Sequence, residues 1–378
     1  MIKKTTRLAL LLAASLGLSI STAQAETHTS VVRWGPVHLP AATAEGPGEA
    51  DNEMAGIGAA GLGAIGKLFI AASGYSQADY DVATPCNDCF ITGIKPNLVL
   101  PDGTTANFNN GIMLHHVVNQ NFSNTDVTCR PNPFGGLIQT AGFYSLTGGN
   151  ERFFAAGNER SYHAQADGFG YYIGKNDKWG LVYHLMNMKP EARDVYFEYT
   201  FTWEDAKGSD LKRVRPLWID IDQCDNSEMP VAAGYVDTTW QWKNDRTHKV
   251  THIGGHLHNY GISIAWKNES KNTNICTSVA GYSPGSTKVP VGTGTGEDDA
   301  HPIGYDTVTS DPLGLENYKG NISDMTVCTD GAAAFTNKKR DIMKVHSQTY
   351  RPSATDHDMG IMVAFMEEKF CIGTFWCF

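Results

Sequence analysis

The chain has 378 residues, with 30 Lys and Arg against 40 Asp and Glu, a formal net charge of −10. Acidity of that size argues against nucleic acid or an anionic membrane surface as partner, since either would call for a basic face. The length exceeds one ordinary core and implies two domains, and 39 glycines with a 10% aromatic content favour strands joined by many turns.

Residues 1–25 read as an export signal, in which Lys3, Lys4 and Arg7 precede an apolar run and Ala23-Gln24-Ala25 forms a small-x-small cleavage site. The mature chain then begins at Glu26 and is periplasmic or secreted. No later stretch reaches the roughly 18 consecutive apolar residues of a membrane span, so a soluble exported protein is expected. The eight cysteines (Cys86, Cys89, Cys129, Cys224, Cys276, Cys328, Cys371 and Cys377) all lie beyond the signal. An even number in an oxidising compartment points to disulfides. Cys86-Asn-Asp-Cys89 admits a redox or metal reading, but neither a second CxxC nor a βαβ pattern accompanies it.

Residues 26–75 are rich in Gly and Ala, most densely at 55–66, and glycine at that density disfavours a stable helix. A loosely ordered segment is expected there, packed on the body through Leu68, Phe69 and Ile70. From 76 to 207 short apolar runs alternate with turn signals, and strands are expected at 97–100, 111–118, 180–188 and 195–203. The polar run at 204–210 marks a domain boundary. A second set of strands follows within 208–378, at 217–221, 250–253, 261–266 and 359–366. The pattern is that of an all-β chain built as β-sandwiches. Acidic residues at 292–299 could ligate calcium through oxygen, but the twelve-residue loop pattern is missing and a solvated turn is expected.

Among 13 histidines, several fall in pairs inside apolar strands. Alternate side chains of a strand share a face, so His256-Leu257-His258 delivers two imidazoles to one point, and Gly254, Gly255 and Gly261 allow close approach. His115 and His116 are adjacent, so both can reach one metal only if the strand bends or one ring binds through its nearer nitrogen. His184, in another apolar strand, completes a three-imidazole set. Each of these taken alone is also compatible with a satisfied core histidine. Near the C-terminus Met359, Met362 and Met366 offer thioethers; the last two read as core filler, whereas a soft Met359 ligand would favour copper over zinc.

In order, His115-His116, then the glycine-flanked run 168–174 leading into the strand of His184, then His256-Leu257-His258, then Asp358-Met359-Gly360, this chain resembles the copper type II, ascorbate-dependent monooxygenases. That is the family of peptidylglycine α-hydroxylating monooxygenase and dopamine β-monooxygenase, and the resemblance spans roughly residues 80–370. The Leu114-His115-His116 and Gly254-Gly255-His256-Leu257-His258 pieces are also similar to the plant stress-up-regulated nodulin family. The resemblance implies two antiparallel jelly-roll-like β-sandwich domains, 76–207 and 208–378, facing each other across a cleft with one copper each. It implies that His115, His116 and His184 hold an electron-transfer copper, and that His256, His258 and Met359 form the catalytic set around an oxygen-activating copper. The implied reaction is hydroxylation of a substrate C–H bond with O2 and a reductant such as ascorbate.

Gly254, Ile361 and Val363 stand where the peptide-hydroxylating members carry a basic residue and polar or tyrosyl groups. A peptide carboxylate therefore lacks a clamp, and an unidentified small-molecule substrate is expected instead. The alternative is an exported copper-binding or copper-delivery protein without turnover. A zinc hydrolase would need an acidic base beside the metal, and only Asp356 and Asp358 are close in sequence. The oligomeric state is not legible in the chain.

Overall fold

In chain order the computed structural model forms β1 (Thr27–Leu39), β2 (Gly48–Asp51), β3 (Cys89–Val99), β4 (Ile112–Thr125), β5 (Asn150–Gly157), β6 (His163–Ala164), β7 (Phe169–Ile173), β8 (Trp179–Asn187) and β9 (Arg193–Asp205). Beyond a polar turn come β10 (Lys212–Asp220), β11 (Met229–Val231), β12 (Gly234–Lys243), β13 (His248–Leu257), β14 (Gly261–Asn268), β15 (Thr273–Tyr282) and β16 (Ile322–Met325). The set closes with β17 (Val327–Cys328), β18 (Thr336–Asn337), β19 (Ile342–Arg351), β20 (Thr355–Asp358), β21 (Gly360–Glu367), β22 (Cys371–Ile372) and β23 (Trp376–Cys377). The structure describes residues 25–43, 48–51, 82–129, 150–222, 227–282, 322–329, 335–351, 353–368, 371–372 and 376–377. The all-β expectation holds, and no helix among the described residues is long and apolar enough to cross a membrane.

Three large sheets carry the fold. The central one runs β1-β9-β3-β7-β10-β21-β13-β17, with β6 added on β3 and β18 on β13. A four-stranded sheet, β2-β8-β4-β5, and a five-stranded sheet, β12-β19-β14-β15-β16, complete the set. The polar run at 204–210 becomes the turn between β9 and β10, and the central sheet continues past it because β10 pairs in parallel with β7 (Lys212 opposite Phe169). The strands on either side of that run thus belong to one sheet.

That sheet is buried on both faces where β10 and β21 lie. Trp218, Ile361, Val363 and Phe365 enter a core with Leu114, Phe153 and Leu185 of the four-stranded sheet. Leu217, Ile219, Met362 and Met366 enter a second core with Ile264, Trp266 and Val345 of the five-stranded sheet. A strand buried on both faces needs apolar residues at every position, which is why 361–366 reads as an unbroken apolar run. On β13 the alternation sorts chemistry: Ile253 and Leu257 join the second core, while a Cβ on Gly254 would meet the His163 ring on the opposite face. His256 and, just past the strand, His258 follow Gly254 toward the four-stranded sheet.

Where a loosely ordered segment is expected, residues 27–39 instead pair along β9 in a strand with a half-exposed, alternating pattern. The Gly/Ala stretch 55–66, residues 68–70, the acidic run 292–299 and residues 1–24 of the export signal lie outside the described residues. Cys86–Cys89 and Cys276–Cys328 are bridged, Cys129 is also disulfide-bonded, and no cysteine is free among the described residues. The CxxC pair is a closed link between neighbours, as the disulfide reading expected.

Candidate metal centre

The adjacent histidines of β4 reach one side of the strand because of one extra residue. Against β8, Leu114 stands opposite Leu185 and His116 opposite His184, so His115 has no partner in the ladder and forms a β-bulge. A bulge kinks its strand and re-aims a side chain. The His115 ring lies 4.8 Å from that of His116 and 4.6 Å from that of His184, centroid to centroid.

The Nδ1 atoms of His115 and His116 are 2.8 Å apart. At that separation the two rings share a proton as they stand, and both nitrogens are close enough that one ion could take them as ligands.

The second histidine pair joins the first. β13 runs antiparallel to β21 with His256 opposite Ile361, and His258 follows just beyond the ladder. The His258 ring is 4.7 Å from His115, 6.2 Å from His116 and 5.7 Å from His256. One donor nitrogen each from His115, His116 and His258 lies within 4.8 Å of the others, and all three residues are buried. The two histidine sets that the resemblance assigns to separate coppers therefore form one contiguous cluster of rings.

Outer contacts orient the rings. His256 Nδ1 donates to Glu159 Oε1 at 3.0 Å, and His258 Nδ1 donates to the His357 carbonyl at 2.7 Å. A carboxylate and a carbonyl only accept, so in each ring Nδ1 carries a proton and Nε2 is the nitrogen turned away from these partners. The Nε2 of His256 is buried with no hydrogen-bond partner. Glu159 also accepts from the Gly157 amide at 2.7 Å. Burial acts to raise the Glu159 carboxyl, but the His256 ring and the backbone amides outweigh it and hold it below its ordinary value. Gly157 is required by contact, since a Cβ there would lie 2.7 Å from both His256 Cε1 and the His115 carbonyl oxygen.

The acid of the Asp-Met-Gly motif braces the turn after His258. Buried Arg351 donates through Nη1 to the Asn259 carbonyl at 3.1 Å and to Asp358 Oδ1 at 3.3 Å. Asp358 is thereby engaged in an internal ion pair rather than poised as a base. Met359 is buried in the first core with Ile361 and Val363. The alternation of β21 puts it on the same face of the central sheet as His256.

The thioether that lines the small pocket of His115, His256 and His258 belongs to Met113, which shares that lining with Asn158, Glu159 and Asn259. Sequence reading passed over Glu159, Gly157 and Met113. The spacing of Met113 two residues before His115 was a usable signal for a shared face, whereas Glu159 carried none. His163 explains the missing clamp: its ring would be 2.2 Å from a Cβ at Gly254, so no basic side chain fits there.

No family model matches the chain. Among solved structures, the major capsid protein P2 of bacteriophage PM2 aligns over 90% of this chain and 97% of its own, at 9% identity and a TM-score of 0.25, too low to carry any argument. Two curated proteins are similar in sequence. One, from Phoma sp., is described as "Probable copper-dependent oxygenase M1" and is 32% identical over 162 residues, 42% of this chain and 38% of that protein. The other, from Cochliobolus lunatus, is described as "Probable copper-dependent oxygenase clz3" and is 30% identical over 141 residues, 36% of this chain and 41% of that protein. The chain spans about two fifths of the length of the curated relatives it matches, and over that span it is similar to proteins described as probable copper-dependent oxygenases.

Proposed function

We propose that this protein is an exported copper-dependent oxygenase that hydroxylates a C–H bond of a small molecule, using O2 and a reductant such as ascorbate. The observation that carries the reading is the buried convergence of His115, His116 and His258, with His184 and His256 beside them. Five imidazoles with a thioether suit copper, and the unpartnered Nε2 of His256 is a donor awaiting a ligand. His115, His116 and His184 would hold one copper, and His256, His258 and Met359 the other, two per chain. When bound, copper supplies the one-electron chemistry with O2 that no amino-acid side chain provides.

The protein's own groups do the rest. Glu159 and the His357 carbonyl hold the Nδ1 protons of His256 and His258, which leaves Nε2 of each ring as the nitrogen that would ligate copper. Burial excludes bulk water from the ring cluster, which suppresses side reactions. Asn158 lines the pocket with a buried Oδ1 that has no hydrogen-bond partner, an acceptor suited to a donor on the substrate. The filled position at Gly254 disfavours a substrate held by its carboxylate.

Oxygen uptake by the copper-loaded, exported form, followed with ascorbate against a small-molecule library, tests the reading. Uptake fixed at the protein-free rate for every compound, with copper still bound, would replace it with a copper-binding or copper-delivery role.

A further inference from the structure

The ladder that carries the histidines carries methionines on its neighbouring rungs. Met113 of β4 stands opposite Met186 of β8; the Leu114–Leu185 pair, which faces the other way, separates it from His116–His184, so the methionines are the next pair on the histidine face. Met188 lies two residues past Met186, and alternation puts it on the face of Met186 and His184. Met113 and Met186 form a buried cluster of their own, against which Phe108 and Met188 pack among the described residues. Branched aliphatics fill the two large cores, whereas this cluster holds none among the described residues. One end opens on the histidines, because Met113 lines the pocket with His115, His256 and His258. At the other end Met188 is half-buried and reaches toward solvent.

We propose that Met113, Met186 and Met188 form a Cu(I) entry site, which takes the ion from a thiolate-bound donor and passes it to the histidine cluster. The proposal rests on the copper reading above and adds a second, all-thioether site to it. Thioethers are soft, uncharged ligands that bind Cu(I) and discriminate against Cu(II) and Zn(II). Consecutive rungs on one face are about 7 Å apart along a strand, so the ion moves one rung to reach imidazole. The transfer is ligand exchange alone: copper stays Cu(I), no electron is moved, and the donor thiolate recovers a proton from water. A cluster serving only as packing would bind no soft ion.

The experiment uses the full mature chain, copper-free, with methionine methyls labelled with carbon-13 and assigned through single Met→Leu variants. Silver(I), a redox-inert stand-in for Cu(I), is titrated in. Shifts of the Met113, Met186 and Met188 methyls at the first equivalent, with those of core Met362 and Met366 unmoved, support the proposal. Unmoved Met186 and Met188 methyls overturn it. In parallel, Cu(I) is delivered from a Cu(I)–glutathione donor to the wild type and to the M113L/M186L/M188L variant. Uptake slowed by about tenfold, with the same final copper content, is expected. Equal rates overturn the entry site and leave the copper reading standing, whereas a wild type that takes up no copper overturns both. Should the triple variant fail to fold, Met188→Leu alone, at the half-buried end, is expected to slow uptake, and an unchanged rate there overturns the proposal.

Discussion

Glu159 and His256 meet at 3.0 Å although 97 residues separate them, and the contact ties the segment after β5 to the central sheet. The carboxylate holds the Nδ1 proton of the ring and so fixes the orientation of its Nε2. Glu159→Gln keeps the shape and removes the charge. It is expected to weaken copper binding by about 10–100-fold, read by competition with a calibrated chelator, with little change in copper content at saturation. Unchanged affinity would reduce Glu159 to a packing residue.

Copper content tests the division of the histidines. About two ions per chain are expected in the wild type and one in His184→Ala. Because the His258 ring sits 4.7 Å from His115 and 5.7 Å from His256, His258→Ala should perturb the Cu(II) electron paramagnetic resonance of both ions. One ion per chain, unaffected by His184→Ala, would replace the pair with a single shared centre.

Met359→Leu conserves volume in the first core and should cost less than about 1.5 kcal/mol of stability. A thioether ligand at this position would, however, stabilise the reduced metal. The variant is therefore expected to lose Cu(I) affinity selectively, while Cu(II) binding persists. Equal Cu(I) affinity in variant and wild type would remove Met359 from the ligand set.

Stability should fall in acid for a reason separate from the ligands. Burial pushes His163 and His248 down to about 4, well under the ordinary histidine value. Between about pH 6.5 and pH 4 the unfolded chain takes up protons that the folded chain refuses, so stability declines as pH falls through that window. Each ring contributes about 2–3 kcal/mol of loss by pH 4. His163→Leu should flatten the fall in urea midpoint, and the difference between variant and wild type isolates this ring from others that titrate in both. Parallel pH profiles would contradict the assignment.

Between β5 and β10, Arg215 donates through Nε to fully buried Glu151 at 2.5 Å, and the Tyr171 hydroxyl donates to the same carboxylate at 2.8 Å. Arg215→Met leaves that carboxyl without its cation and is expected to cost about 3–5 kcal/mol in urea unfolding. The double variant R215M/E151Q should recover a large part of the loss; no recovery would mean that the Arg215 stem, not its charge, matters.

Local signals carried much of the site and little of the topology. The strands at 111–118, 180–188 and 261–266 were legible from apolar runs bounded by turn residues, and each lies within one residue of an observed strand. His256 and His258 share a face as strand alternation requires. Unreadable was everything fixed by distant partners. The parallel joint of β7 with β10 leaves no trace in either strand's composition. β1 hid because a half-exposed edge strand interrupted by Gly35-Pro36 resembles a loop. Glu159, in Gly157-Asn158-Glu159-Arg160, has the composition of a turn; only the approach of β13 makes it a buried ligand orienter.

The bulge at His115 has an evolutionary reading. A strand with a single histidine opposite His184 needs only one inserted codon to present two imidazoles on one side, because the extra residue bends the strand at the point of insertion. Deleting that codon restores an ordinary ladder and takes away the pair, while the strands on either side keep their partners. A chelating site of this kind can thus be gained or lost in one genetic event within a sheet that goes on folding.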